Sequence, residues 1–207
     1  MPRPRSLTKS DLGVAALAVI DRDGLSALTM RAVAKELRMA TMALYRYVSD
    51  REELEILVVD EVLAGIDVST PAESHWRDRL TTLLERMRAA ISAHPATVPL
   101  VLRHRKNSTA TLRWMEAMLA VLTEGGFEGA DRVIAQRTLV AFLLGSLENE
   151  HYASINAPAT TAIAQLSPEE YPTLTATAAQ ARKMSVDDEF RGGLAIVLRG
   201  LAAGRPG

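Results

Sequence analysis

Apolar side chains recur along this chain at the three- and four-residue spacing of amphipathic helices, and no stretch alternates as a strand would. Residues 8–23 place Leu12, Ala16, Val19 and Ile20 on one stripe. Thr8 with Asp11 forms a capping box built on the shorter acid, and Gly24 is the stop. Thr29 caps a second, shorter helix in which Val33 and Leu37 share a face, with Ala34 small enough for a neighbour to cross close by. Arg38, Met39 and Ala40 have the length of a tight turn, without the glycine common there. A third helix over residues 41–48 turns Leu44 and Val48 inward. Ser49 with Glu52, or Asp50 with Glu53, caps a fourth helix, residues 51–66, whose apolar positions include Leu54, Leu57, Val58 and Leu63.

The rest of the chain reads as longer helices. Residues 68–72 form a loop. Residues 73–93 carry the stripe Trp76, Leu80, Leu83, Leu84, Met87 and Ile91, and His94-Pro95 ends it, because the residue before proline leaves the helical region. A short helix follows over 97–103, another over 110–124 closed by Gly125-Gly126, and a long one over 130–153. Residues 156–175 hold three prolines and predict a mobile loop with a short helix inside; residues 187–202 are the last helix.

Two of these segments, 139–147 and 190–201, are apolar on more than one face, which marks a helix covered on more than one side. Either a second copy supplies the cover or the faces pack within one chain. Small residues at Gly145, Ser146, Gly192 and Gly193 permit close approach, and two-fold dimers are the commonest assembly. The interface expected on that basis comprises Leu139, Phe142, Gly145, Ser146, Phe190, Leu194, Val197 and Leu198.

Chemistry enters with the outer face of the third helix. Thr41, Met42, Ala43, Tyr45, Arg46 and Tyr47 stand mostly outside it. Tyrosine hydroxyls and arginine bond phosphate oxygens, arginine also bonds guanine bidentately, and small or apolar side chains pack on thymine methyls. Two short helices joined by a tight turn, the second presenting such a face, have the layout of a helix-turn-helix. The charge distribution agrees. The chain carries a net charge of −1, yet residues 1–51 hold nine Lys/Arg against five Asp/Glu, and the remainder fifteen against twenty. One end is basic and the body acidic. The leading residues 2–6, Pro-Arg-Pro-Arg-Ser, are either a disordered basic arm that reaches a minor groove or an idle tail.

Composition narrows the alternatives. Hydrophobic residues make up 48% of the chain, enough for a core, and aromatics only 4%. The absence of cysteine excludes a disulfide scaffold and thiolate metal sites. No apolar run has the length of a membrane span, and the basic N-terminus lacks the apolar segment of a signal peptide, so a cytoplasmic protein is expected.

The segments 24–37, 43–48 and 51–54 together resemble the N-terminal domain of the TetR family of transcriptional regulators. Looser likeness to the C-terminal domain of the tetracycline-repressor branch runs through His94-Pro95, residues 119–127, 142–145 and 189–194. The resemblance implies an all-α homodimer: an N-terminal three-helix helix-turn-helix domain, residues 1–50, and a larger C-terminal helical ligand-binding and dimerisation domain, residues 51–207, that begins with the linking helix 51–66. It implies binding to a palindromic double-stranded DNA operator and release by a small-molecule effector, and repression rather than activation. By position the DNA-binding residues are Thr29, which also caps the bracing helix, Arg31, Thr41, Met42 and Ala43, of which the last four approach base edges, Tyr45, Tyr47 and Arg51, which approach phosphates, and Arg46, which does either. Where tetracycline repressors carry a drug-binding histidine at the end of the linking helix, this chain has Asp67, which argues against tetracycline as the effector.

For a partly apolar effector the candidate lining is Met87, Leu100, His104, Trp114, Met115, Met118, Phe142, Leu143 and Asn149; flexible methionines suit adaptable pockets, though a methionine stripe also serves as plain core. Further polar candidates are Arg103, Asn107, Glu148 and His151. No cofactor, metal ligand set or catalytic residue is expected. The rival reading is a helical-bundle enzyme or metal-binding protein using Glu148 and His151, which form Glu-x-x-His on one helix. A di-iron bundle needs two such motifs and two further glutamates, and no second copy is present.

Overall fold

The structure, a computed structural model, describes residues 7–155 and 162–204. The basic arm and residues 156–161 of the expected loop lie outside the described residues. Among the described residues every regular element is helical, and no helix is long and apolar enough to cross a membrane. The chain divides into two compact units, Met1–Phe127 and Glu128–Gly207.

The first unit holds α1 (Lys9–Asp23), α2 (Met30–Glu36), α3 (Thr41–Leu44), α4 (Arg51–Ala64), α5 (Trp76–Ser92), α6 (Val98–His104) and α7 (Thr109–Glu124). The capping box expected at α1 is present: Thr8 Oγ1 accepts the Asp11 N–H, and Asp11 Oδ2 accepts the Thr8 N–H at 2.8 Å. Gly24 ends the helix with φ 84°. The two alternatives for the α4 cap merge into one arrangement. Asp50 accepts the Glu53 N–H at 2.9 Å while Glu53 reaches back to the Ser49 N–H at 2.9 Å.

Packing in this unit centres on α4. It meets α1, α5, α6 and α7, and no residue from 53 to 63 is exposed. Leu54, Val58, Val59, Val62 and Leu63 are buried, on both sides of the helix. Burying a side chain of this size contributes roughly 1.5–3 kcal/mol. Gly13 marks where α1 crosses α4. A Cβ built there would stand 2.9 Å from Leu57 O and 3.3 Å from Glu61 Cβ, so the crossing distance depends on hydrogen at that position. The amphipathic α5 buries all six residues of its expected stripe. Its start moves from residue 73 to Trp76, because residues 71–74 close a turn and His75 Nδ1 accepts the Arg77 N–H. Trp76 meets Phe127 edge-on at 5.2 Å. Trp114 of α7 donates its indole N–H to Leu83 O of α5 at 2.9 Å.

In the second unit, α8 (Gly129–Ile155) packs on α10 (Val186–Ala203), and α9 (Pro172–Ala181) lies between them in sequence. The helix from Pro172 corrects the expected loop. Proline sits in its first turn, where its missing N–H and fixed φ suit a helix start. Phe142 and Phe190 stack at 5.3 Å, and Gly193 lies against the Phe142 ring, where an added Cβ would stand 2.8 Å from Cε2. Leu139, Leu143, Leu147, Phe190, Leu194 and Leu198 are buried in the single chain.

Gly13→Ala is expected to force α1 away from α4 and to lower stability by about 1–3 kcal/mol, the usual cost of overpacking. Thermal unfolding of the variant beside the wild-type protein measures it; an unchanged Tm would mean the two helices separate freely.

Candidate nucleic-acid interface

The turn between α2 and α3 solves its missing glycine with an arginine. Arg38 takes φ 54°, and apart from glycines no other described residue has positive φ. That conformation is costly for a side chain with a Cβ. It is held by the Arg38 N–H on Lys35 O (3.0 Å) and the Met39 N–H on Ala34 O (2.9 Å). Thr29 caps α2 as expected, its Oγ1 accepting the Ala32 N–H at 3.1 Å.

The second helix of the pair is shorter than its sequence suggests. α3 ends at Leu44 rather than 48, and the chain continues as tighter turns, with the Tyr47 N–H on Leu44 O at 2.9 Å. Ala40 supplies no side-chain cap, and Tyr-Arg-Tyr is a run of modest helix propensity, so nothing local extends the helix. The orientation survives the change. Leu44 and Val48 are buried, Met42 is 77% and Tyr45 48% exposed, Arg46 is exposed, and Thr41, Ala43 and Tyr47 are half-buried. Arg31 on α2 and Arg51 at the start of α4 are exposed as well. Lys9 of α1 fixes the α4 start from the other side through Glu53, Nζ to Oε1 2.8 Å. Hydrogen bonds from Lys9 and from the Ser49 backbone hold the Glu53 carboxyl below its ordinary value.

Behind this face lies an acid that sequence reasoning missed. Glu55 of α4 is 5% exposed. Its Oε1 accepts Arg51 Nε at 2.9 Å; its Oε2 accepts His104 Nε2–H at 2.8 Å and Arg103 Nη1 at 3.3 Å. Burial pushes the Glu55 carboxyl up, but the bonds from His104 and Arg51 and the charges of Arg51 and Arg103 outweigh it, so the group stays below the ordinary range and ionised. A buried ion without such partners would be strongly destabilising. The signal is an acid set among Leu54, Val58 and Val59, all of them buried. Its partners lie 48 and 49 residues away and no local pattern points to them. A second tie joins the same regions: His94 Nδ1 lies 2.8 Å from Asp21 Oδ2 at the end of α1.

The candidate effector residues fall on both units. Met87, Leu100, His104, Trp114 and Met118 are buried in the first and Met115 half-buried. His104 is engaged by Glu55 and the Trp114 N–H by Leu83. In the second unit Leu143 is buried, Phe142 half-buried and Asn149 exposed. Of the candidate dimer residues, Phe142, Gly145, Ser146 and Val197 are half-buried and the other four buried. The exposed apolar positions on those helices include Ile134 and Ile196, the latter 63% exposed. Asp67 clasps its own loop, accepting the Ser69 N–H and Oγ–H and pairing with Arg86 at 3.0 Å. Glu148 is exposed and His151 stacks edge-on with Tyr152; among the described residues no three His, Asp or Glu converge to hold a metal.

Comparison with known proteins matches residues 14–55 to the model of bacterial regulatory proteins of the tetR family, and residues 70–205 to the tetracyclin repressor-like C-terminal domain. An HTH-type transcriptional regulator of Saccharopolyspora erythraea is 27% identical over 144 residues, 70% of this chain and 61% of the relative. The HTH-type transcriptional repressor DrrR1 of Streptomyces coeruleorubidus is 29% identical over 154 residues, 73% of this chain and 56% of the relative. The chain thus spans about three fifths of these two relatives. The Streptomyces coelicolor TetR family protein ActR, solved in complex with (S)-DNPA, is 26% identical with a TM-score of 0.84, covering 96% of this chain and 98% of that one.

Glu55→Ala is expected to cost about 1–3 kcal/mol, because it leaves the His104 ring donor buried without its acceptor. The depressed carboxyl also sets a pH signature. Its stabilisation is complete above the ordinary value of 4.5 and is lost as pH falls through that value toward the folded one. Urea unfolding across that range should show a steeper acid loss for the wild-type protein than for Glu55→Gln. Parallel profiles would mean the carboxyl titrates alike in the folded and unfolded chain, so that the cluster does not depress it.

Proposed function

The chain belongs to the tetR family of bacterial regulatory proteins, and from that premise we propose a ligand-responsive transcriptional repressor that binds a palindromic operator as a homodimer and is released by a small-molecule effector. Residues 1–50 are the reading domain, and residues 51–207 the effector-binding and dimerisation domain, beginning with the linking helix. A regulator of this kind works in the cytoplasm, where its DNA is, and needs no catalytic group.

The observation that carries the reading is the outward face Met42, Tyr45 and Arg46, held rigidly over the buried anchors Leu44 and Val48. Thr41, Met42 and Ala43 meet base edges with Arg31 beside them. Tyr45, Tyr47 and Arg51 meet phosphates, and Arg46 serves either. The relative DrrR1 bears the description of a repressor, and ActR was solved with a small molecule; both favour this assignment. The effector site draws on Met87, Leu100, Trp114, Met115 and Met118 of the first unit. They favour a partly apolar effector, and Asp67, committed to Ser69 and Arg86, favours one other than tetracycline. Dimer contact uses the residues of α8 and α10 not already covered, among them Phe142, Gly145, Val197 and Ile196. An effector that prefers one arrangement of α6 pulls on α4 through His104 and Glu55 and so shifts the reading heads, by no more than its differential affinity for the two arrangements.

Sheared DNA of the source genome, captured by the purified protein and sequenced, tests this. One palindromic site should be enriched by the native protein, and Arg46→Ala or Tyr45→Ala should weaken its binding by about 1–3 kcal/mol with the fold intact. Equal affinity of both variants would remove the segment 41–48 as the reading element, and enrichment of no site would remove the function.

A further inference from the structure

The Glu55 cluster faces two ways. Toward the interior it binds His104. Toward solvent it holds two guanidinium groups, one on each carboxylate oxygen: Arg51 on Oε1 and Arg103 on Oε2. Arg51 is attached through Nε alone, which leaves both of its terminal amino groups without a partner among the described residues. Arg103 is attached through Nη1 alone, which leaves Nη2 and Nε in the same state. Their side chains are 49% and 65% exposed. One negative charge lies under two positive ones, and the surplus is presented outward. The following turn, Arg105–Asn107, also packs on α4 and adds the exposed Lys106.

Most exposed ion pairs place a long side chain loosely on a solvated partner and contribute little. Here the carboxylate is buried and fixed, so each arginine is anchored at one point and its remaining donors are aimed rather than free to wander. A planar guanidinium with unused donors is the group suited to bidentate binding of a phosphate oxygen pair. Arg51 opens α4, three residues beyond Val48, the last anchor of the reading element.

We propose that Arg51 and Arg103, splayed on the two oxygens of Glu55, form one clamp for a backbone phosphate of the bound DNA, so that Arg103 of α6, outside the helix-turn-helix, is a DNA-contacting residue. Glu55 itself does not touch the DNA; it is the positioning residue of the clamp. The inference rests on the reading that Arg51 faces a phosphate.

A phosphate contact carries no sequence information, so the test does not require the operator. Binding of the protein to a random-sequence duplex of about thirty base pairs is measured over a range of salt concentrations. The proteins compared are wild type, Arg103→Gln, Arg103→Lys, Arg51→Gln and Arg46→Ala, with thermal unfolding of each. Arg103→Gln should weaken binding roughly threefold to tenfold at low salt and reduce the slope of log K against log salt by about 0.9 for each protomer bound, so by about 1.8 for the dimer. Arg103→Lys keeps the charge and should keep most of the slope, which also serves if the glutamine variant folds poorly. If Arg51→Gln loses slope and neither Arg103 variant changes, the clamp is wrong and Arg51 acts alone. If neither position matters while Arg46→Ala still weakens binding, the placement of Arg51 falls as well, with the regulator reading intact. If the wild-type protein shows no salt-dependent binding, the function proposed above fails and the clamp with it.

Discussion

The fold of the first unit depends on a helix with no fully exposed residue between positions 53 and 63. α4 must be covered by α1 in front and by α5, α6 and α7 behind, and Gly13 sets how closely the front cover approaches. A helix in this position cannot relax toward solvent when one neighbour moves. α4 therefore links α6 to α1 and to Arg51 through one close-packed interior.

Glu55 sharpens that constraint. An apolar residue at this position would pack as well and would demand nothing of its neighbours. A buried carboxylate demands three donors in one geometry, and so it fixes the relative rotation of α4 and α6 in a way that leucine and valine contacts do not. The pair Asp21 and His94 adds a second polar tie from α1 to the turn after α5, between an exposed acid and a half-buried histidine, where its geometry counts for more than its energy.

Much of this architecture was legible in the sequence, because helices signal themselves locally. The Thr8 and Asp11 box, the α5 stripe, the His94-Pro95 stop and the inward pair Leu44 and Val48 all follow from spacing within one or two turns. The errors fall where local signals are weak or compete. α3 ends four residues before the stretch its pattern predicts, since the buried pair Leu44 and Val48 is compatible with a continuous helix or with a helix ending in a tight turn. The turn at residue 38 was recognised by length, but that an arginine would occupy its left-handed position was not. The candidate site divides in the same way. Its outward face on α3 could be read from a four-residue period. The Glu55 cluster could not, because His104 and Arg103 belong to a basic run whose ordinary fate is solvent. Only tertiary packing selects which of its members turns inward, and His104 does so to meet an acid on α4.

The α1 and α4 crossing also bears on how far such a protein is modular. The reading residues end near residue 50, and it is natural to imagine exchanging that segment between relatives to redirect a regulator to a new address on the genome. Yet α1, inside the exchanged segment, is matched to α4, outside it, through a contact that tolerates no side chain at Gly13. A donor segment with alanine or serine there would arrive with the right reading face on the wrong seat. A graft that transfers both helices together, with the acid at residue 55 and its partners on α6, keeps the fit, so the natural unit of exchange is defined by packing and extends beyond the segment that meets DNA.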